Sequence, residues 1–191
     1  MDITKLQLRQ QLRAARKAHV TAQPDAIRAL LFHRPPSPLL EKIHADQAIG
    51  LYHSGAFEAP TAGYARFFQE AGHTLALPYF ADDDAAMEFR EHTDAHSQTD
   101  LERGAYDMMQ PASGTHTVQP DLLFVPLVGF TDSGTRLGQG GGHYDRWLAA
   151  HPGTLAIGLA WDVQLCEEIP TEPHDIGLDA IITPTRLYGP F

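Results

Sequence analysis

The sequence holds one cysteine, Cys166, in 191 residues. A lone cysteine excludes an intramolecular disulfide and a thiolate metal cluster. Such sparing use fits a reducing compartment, so a cytoplasmic location is expected. No apolar run approaches the roughly 18 residues that a membrane-crossing helix requires. The first residues are basic but carry no apolar stretch of the kind an export signal uses, so export is not expected. Positive charge is scarce as well: 14 Lys and Arg stand against 24 Asp and Glu, a net charge of −10. That balance argues against a protein that coats nucleic acid with its surface, and neither a nucleic-acid nor a membrane partner is expected.

What is present is a chain of ordinary globular composition, 43% hydrophobic and 20% charged. Its length suits one domain, taken as residues 1–191, and a chain of this size hides roughly 70% of its unfolded surface. Charge is unevenly spread. Residues 1–34 hold seven bases (Lys5, Arg9, Arg13, Arg16, Lys17, Arg28, Arg34) and two acids (Asp2, Asp25), whereas the other 157 residues hold seven bases and 22 acids. A basic first segment on an acidic protein can hold an anion, or can simply solvate a helix face.

Residues 3–19 read as a helix, with Asp2 or Thr4 as its cap. Lys5, Arg9, Arg13 and Arg16 fall on it in one stripe about 80° wide, with Leu8 and Leu12 on one flank and Leu6 on the other. A helix over 24–33 follows, stopped by the prolines of Arg34–Pro38. Residues 48–53, 75–80, 87–90, 154–160 and 180–183 read as strands, 61–72 and 144–151 as helices, and 91–119 as loop and turns. The first of these helices places Tyr64, Phe67, Phe68 and Ala71 on one face. Leu122–Val128 is the strongest strand, apolar throughout and so buried on both faces. Alternating strands and helices imply an α/β fold, a three-layer αβα sandwich with a mostly parallel, Rossmann-like sheet.

Between the buried strand and the helix at 144 lies a glycine-rich loop with Gly138, Gly140, Gly141 and Gly142. Glycines let a backbone approach a ligand closely, and successive N–H groups beside a helix start form an anion nest. Arg136 adds a forked donor suited to phosphate, and Asp145 a hard oxygen suited to Mg²⁺. The familiar phosphate fingerprints fail. No lysine followed by Ser or Thr closes a P-loop, and in a G-x-G-x-x-G reading the third glycine would fall on His143. A plain tight turn is the alternative for the glycines alone.

The string Val125-Pro126-(x)3-Phe130-(x)3-Gly134-x-Arg136-Leu137-Gly138-x-Gly140-x-Gly142-x-Tyr144-Asp145-Arg146 resembles the signature of the 5-formyltetrahydrofolate cyclo-ligase family, also called 5,10-methenyltetrahydrofolate synthetases. The likeness extends along most of the chain. Lys5-(x)2-Leu8-Arg9-(x)6-Arg16 is similar to the family's opening, Glu58, Pro78 and Met87–Phe89 match in order, and Gln164, Ile169-Pro170, His174-Asp175, Asp179 and Thr183 match its close.

The resemblance implies an enzyme that uses ATP and Mg²⁺ to convert 5-formyltetrahydrofolate, with or without a polyglutamate tail, to 5,10-methenyltetrahydrofolate, releasing ADP and phosphate. The formyl oxygen is phosphorylated and N10 closes the ring. The implied fold is similar to that of isomerases and CoA-transferases, and a monomer is expected. The implied ATP ligands are Lys5, Arg9, Arg136, Leu137, Gly138, Gln139, Gly140, Gly141, Gly142, His143 and Tyr144. The implied folate ligands are His53, Glu58, Gln139, Gly140, Gly141, Gly142 and His143, and the metal ligands Asp145 and Asp175. Arg136, Tyr144 and Asp145 are the implied catalytic residues. Arg146 either serves the site or ties the helix start to the core. Without the resemblance, Glu58 reads as a loop acid and Asp175 as a cap or surface acid.

Three departures from the family pattern stand out: Gln110 where Glu is frequent, His143 where Tyr is frequent, and the proline cluster at 34–38. His143 would change stacking on the folate or add a group that titrates near neutral pH. His92 and His96 have i, i+4 spacing but lack the intervening glutamate of a zinc protease. Cys166 reads as a core residue and Asp82–Asp84 as a solvated loop. Two further readings stay open: a nucleotide-binding regulator without turnover, and an α/β enzyme acting on sugar phosphates or CoA esters.

Overall fold

A computed structural model describes residues 4–28 and 30–191. Among the described residues the α-helices are α1 (Lys5–Ala22), α2 (Asp25–Arg28), α3 (Ser37–Leu40), α4 (Ala62–Glu70) and α5 (His143–Ala150). The strands are β1 (Ile49–Gly50), β2 (Leu75–Tyr79), β3 (Glu88–His92), β4 (Leu101–Arg103), β5 (Met109–Pro111), β6 (Leu122–Pro126), β7 (Gly129–Phe130), β8 (Arg136–Leu137), β9 (Leu155–Leu159), β10 (Ala180–Ile182) and β11 (Leu187–Tyr188).

Seven strands form the main sheet in the order β11-β10-β9-β6-β1-β2-β3. The inner five are parallel, and β3 and β11 close the two edges antiparallel. The β6 strand is buried on both faces because alternate side chains enter different cores. Leu122 and Phe124 join Tyr64, Ala65 and Phe68 of α4 on one face, while Leu123 and Val125 join Trp147 and Leu148 of α5 on the other. This gives the three expected layers, and the mostly parallel sheet is as the alternation of strand and helix implies.

A third, smaller cluster decides where the basic stripe goes. Leu8 and Leu12 of α1 pack on Val128, Leu137 and Ile169, each leucine contributing about 2 kcal/mol of burial. The helix starts at a capping box, with the Thr4 hydroxyl taking the Gln7 N–H and the Gln7 side chain taking the Thr4 N–H. Asp2, the other cap candidate, lies outside the described residues.

Several elements differ from expectation. The expected helix over 24–33 shrinks to the single turn of α2, followed by turns. Leu30 is 74% exposed and has no core face to bury. Segment 91–119 is not all loop: β4 and β5 pair as a small antiparallel hairpin around a 3-10 turn at Ala105–Asp107. The fully buried residues of α4 are Tyr64, Ala65 and Phe68. Phe67 packs half-buried against the same core with the Arg34 guanidinium over its ring, whereas Ala71 of the expected face is exposed.

Candidate active site

In α/β sheets ligands settle at the carboxyl ends of the strands, where the strand order reverses. Here the reversal lies between β1 and β6: the chain runs from β1 outward to β2 and β3, then returns to β6 on the other side of β1. A cavity of about 700 Å³ opens there, walled by Tyr52–Gly55 after β1, Pro78 of β2 and Pro126 of β6. Its volume falls in the usual range for small-molecule sites, about 300–1,000 Å³.

The structure brings all fifteen sequence-derived candidates to this one cavity. Lys5 and Arg9 come from α1, His53 and Glu58 from the segment after β1, and Arg136 and Leu137 from β8. Gly138, Gln139, Gly140, Gly141 and Gly142 form the loop, His143, Tyr144 and Asp145 the first turn of α5, and Asp175 a later loop.

The loop is held from beneath by the basic stripe. Arg9 Nε donates to the Gly138 carbonyl at 2.8 Å, and Arg13 Nη2 to the Gln139 carbonyl at 3.0 Å and its side-chain oxygen at 2.8 Å. Arg16 leaves the stripe altogether. It is buried, and its Nη1 reaches the Leu127 carbonyl at 3.4 Å. Two of the four bases therefore support the loop or core without lining the cavity. Gly140 at φ 114° and Gly142 at φ 66° hold conformations that favour glycine. The N–H groups of Gly138 through Gly142 find no acceptor among the described residues, and Gly142 caps α5 without a side-chain bond. Together these are the makings of an anion nest.

Behind the loop the charges are paired. Arg136 Nη2 lies 2.5 Å from Asp145 Oδ1, which also accepts the Ile176 N–H at 3.0 Å. Lys5 Nζ sits 2.6 Å from both Glu172 and Asp175. Burial pulls the Lys5 ammonium down, but its bonds to Asp175 and Glu172 more than offset that and leave it above the ordinary lysine value. Asp175 is likewise pushed up by burial and pulled further down by Lys5 and the Glu172 N–H. Each of the two aspartates keeps one oxygen without a hydrogen bond among the described residues, Oδ2 on Asp145 and Oδ1 on Asp175. Hard oxygens in this state suit Mg²⁺, which takes one or two carboxylates and completes its shell with phosphate and water. Glu172, His174 and Asp175 gather their ligand atoms within 4.8 Å of one another, a group that does not include Asp145 and that adds Glu172, which the sequence did not single out.

Glu58 bridges two parts of the site: Oε2 accepts the Gly55 N–H at 2.9 Å and Oε1 the Gln139 side-chain N–H at 3.0 Å. Burial, with the nearby Glu58 charge, pushes the Tyr144 phenol far up, against the pull of Arg136, so it stays a neutral donor. His143 packs edge-on against Phe80 at 4.9 Å and tilted on Tyr106 at 5.6 Å. Arg146 Nη2 donates to its Nδ1 at 3.1 Å, and burial followed by the Arg146 charge lowers its pKa. Arg146 thus acts at the start of α5 rather than in the core. Gln110 is buried and clamps the end of β2: its oxygen accepts the Phe80 N–H at 3.1 Å and its nitrogen donates to the Phe80 carbonyl at 3.0 Å.

Sequence reasoning missed one wall. Tyr106, Met108 and Met109 of the 104–111 strap, with Phe80 and Met87, give the cavity an apolar side. Tyr106 is fixed by Asp83, which takes its N–H at 3.0 Å and, through the backbone carbonyl, its hydroxyl. The one signal was Tyr106 with Met108 and Met109, large apolar side chains close together in an otherwise polar segment.

Comparison with known proteins gives a consistent result. The model of the 5-formyltetrahydrofolate cyclo-ligase family matches residues 2–184. The 5-formyltetrahydrofolate cyclo-ligase of Escherichia coli strain K12 is 39% identical over 99 residues, 49% of this chain and 54% of that protein. The Haemophilus influenzae protein of the same name is 37% identical over 90 residues, 44% and 48% of the two chains. The matched part of the chain thus spans about half the length of these curated relatives. The solved structure of a 5,10-methenyltetrahydrofolate synthetase from Aquifex aeolicus superposes with a TM-score of 0.77 at 25% identity, covering 98% of this chain and 93% of its own.

Proposed function

The chain belongs to the 5-formyltetrahydrofolate cyclo-ligase family, and from that premise we propose that it uses ATP to close 5-formyltetrahydrofolate into 5,10-methenyltetrahydrofolate, with release of ADP and phosphate. The observation that carries this reading is the convergence of the fifteen candidates, from α1, the β1 end, the glycine loop and the 167–178 loop, on one cavity. The same reading takes residues 1–191 as one domain, working as a monomer in the cytoplasm on a small-molecule substrate. Among the described residues no helix is long and apolar enough to cross a membrane.

A formamide oxygen is a poor leaving group and a phosphorylated one is good. The formyl oxygen attacks the γ-phosphorus of ATP; that O–P bond forms, the bond to the β-phosphate oxygen breaks and ADP leaves. N10 then attacks the formyl carbon, the C–O bond breaks with phosphate as leaving group, and N10 loses its proton. Such chemistry asks for positioning and charge stabilisation. The loop N–H groups Gly138–Gly142 and the free start of α5 receive phosphate oxygens. Arg9 uses Nε on the Gly138 carbonyl, which leaves its terminal nitrogens for the nucleotide, with Lys5 beside it. Arg136, locked by Asp145, offers a fixed cation to the transferring phosphoryl group. Asp145 and Asp175 would hold Mg²⁺, which when bound neutralises charge on the phosphates. Glu58 offers its Oε1 to the pterin edge in exchange for the Gln139 amide, and His53 and the apolar wall from Tyr106 to Met109 flank the folate. Tyr144, neutral at physiological pH, donates near the reacting centre.

Phosphate release with and without 5-formyltetrahydrofolate tests this reading. It requires release that depends on the folate, one phosphate for each methenyl product. Release indifferent to the folate, or none in its presence, rejects it.

A further inference from the structure

Gln98 holds its backbone at φ 56°, a left-handed conformation that a residue with a side chain adopts at a cost and keeps only where its surroundings over-determine it. They do so here. Asp94 accepts the N–H groups of Ser97 and Thr99 at 2.9 and 3.1 Å and the Thr99 hydroxyl at 2.6 Å. The Gln98 N–H donates to the Asp94 carbonyl at 2.9 Å. Asp100 ties the far end back to β3, accepting from buried His92 Nδ1 at 2.9 Å and from the Thr93 N–H at 2.6 Å.

The Gln98 side chain makes one hydrogen bond among the described residues, from Oε1 to His53 Nε2 at 3.3 Å. His53 lines the main cavity and also a second one of about 40 Å³, which it shares with Gln98 and His92. With the amide oxygen facing the ring, as the side chain stands, the oxygen accepts and His53 Nε2 is the donor, and a neutral imidazole then bears its lone pair on Nδ1. We propose that Gln98 is a positioning residue: its amide oxygen fixes His53 in the Nε2–H tautomer, so that Nδ1 is the acceptor His53 offers to a ligand of the main cavity. The identity of that ligand as the folate rests on the function proposed above; the tautomer does not. The strain at Gln98 and the two aspartates that brace it thereby gain a purpose that packing alone does not supply.

Nitrogen-15 NMR of histidine-labelled protein at about pH 8, where imidazoles are neutral, reads the tautomer without requiring turnover. His53 is expected as Nε2–H in the parent protein and as a mixture in Gln98→Leu. In steady-state kinetics, Gln98→Leu raises KM for 5-formyltetrahydrofolate about tenfold, the usual effect of one lost hydrogen bond, with KM for ATP unchanged, and Gln98→Glu, which keeps an acceptor, restores most of the loss. Gln98→Gly relieves the backbone while deleting the amide, so its Tm holds or rises while KM for the folate rises as in Gln98→Leu. A purely structural role would move Tm and KM together. An Nδ1–H tautomer in the parent, or a tautomer unmoved by Gln98→Leu, overturns the proposal. A parent protein with no folate turnover would sink the functional reading and leave the NMR measurement to decide this one.

Discussion

The guanidinium of Arg136 and the carboxylate of Asp145 meet at 2.5 Å beneath the glycine loop, with the Arg136 side chain only 3% exposed. The contact joins β8 to the first turn of α5, so the two residues bracketing the loop are locked to each other. Asp145 thereby has one observed task and one proposed: one oxygen holds Arg136 and the Ile176 N–H, and the other is the proposed cation ligand.

Asp145→Asn separates these tasks. The amide oxygen still accepts a hydrogen bond, so the fold survives with a loss of about 1–3 kcal/mol, the price of an imperfectly paired buried cation. Turnover falls by at least about 100-fold, the scale seen when a charge-stabilising group is removed. Thermal denaturation and kcat, measured on the same preparation, check both. Arg136→Lys is the gentler partner variant, since removing the cation outright would leave Asp145 unpaired.

If Asp145 and Asp175 hold Mg²⁺ during turnover, excess chelator abolishes activity and added Mg²⁺ restores it, while Tm without nucleotide is little changed. Activity that persists unchanged in chelator removes the metal from the account.

Stability follows pH through Lys5. The carboxyl of Asp175 lies below its ordinary value in the folded protein, so its contribution is complete above about pH 4 and is lost as pH falls further. Lys5 lies above its ordinary value, so its contribution is complete below about pH 10 and is lost as pH rises through the folded value. The Tm difference between the parent and Lys5→Met is therefore largest on the plateau between these limits and narrows on both sides. The difference also shrinks in high salt, because Glu172 and part of the pair face solvent.

Gln110→Glu restores the residue frequent in the family and is expected to destabilise this chain. Both halves of the amide are used on Phe80. A carboxylate keeps the bond from the Phe80 N–H but sets a buried charge against the Phe80 carbonyl. A loss of about 1–3 kcal/mol follows, read as a fall in Tm.

The glycine loop was legible because its chemistry is local: glycines, Arg136 and Asp145 fall within ten residues on a strand-to-helix turn. The α1 stripe was legible in part. Angular arithmetic places Lys5, Arg9, Arg13 and Arg16 together, but only the packing of Leu8 and Leu12 on Val128, Leu137 and Ile169 decides that Lys5 and Arg9 reach the cavity while Arg16 turns into the core. The pairings Arg136–Asp145 and Lys5–Asp175 join residues 9 and 170 positions apart, and no spacing rule foretells the second. The 101–111 hairpin was invisible because β4 is largely exposed and lacks the alternation by which a half-buried strand is recognised. The helix expected over 24–33 failed because its apolar residues do not share one helical face: Ile27 and Leu30 are exposed, whereas Phe32, at φ 54°, turns into the core with Leu31 beside it.

The central claim is that this cavity makes 5,10-methenyltetrahydrofolate. Purified protein mixed with (6S)-5-formyltetrahydrofolate, ATP and Mg²⁺ tests it most directly through the absorbance of the methenyl product. The account predicts that absorbance rises with enzyme concentration, that it requires ATP, and that Asp145→Asn largely abolishes it. No methenyl product at any enzyme concentration, or product formed equally well without nucleotide, would contradict it.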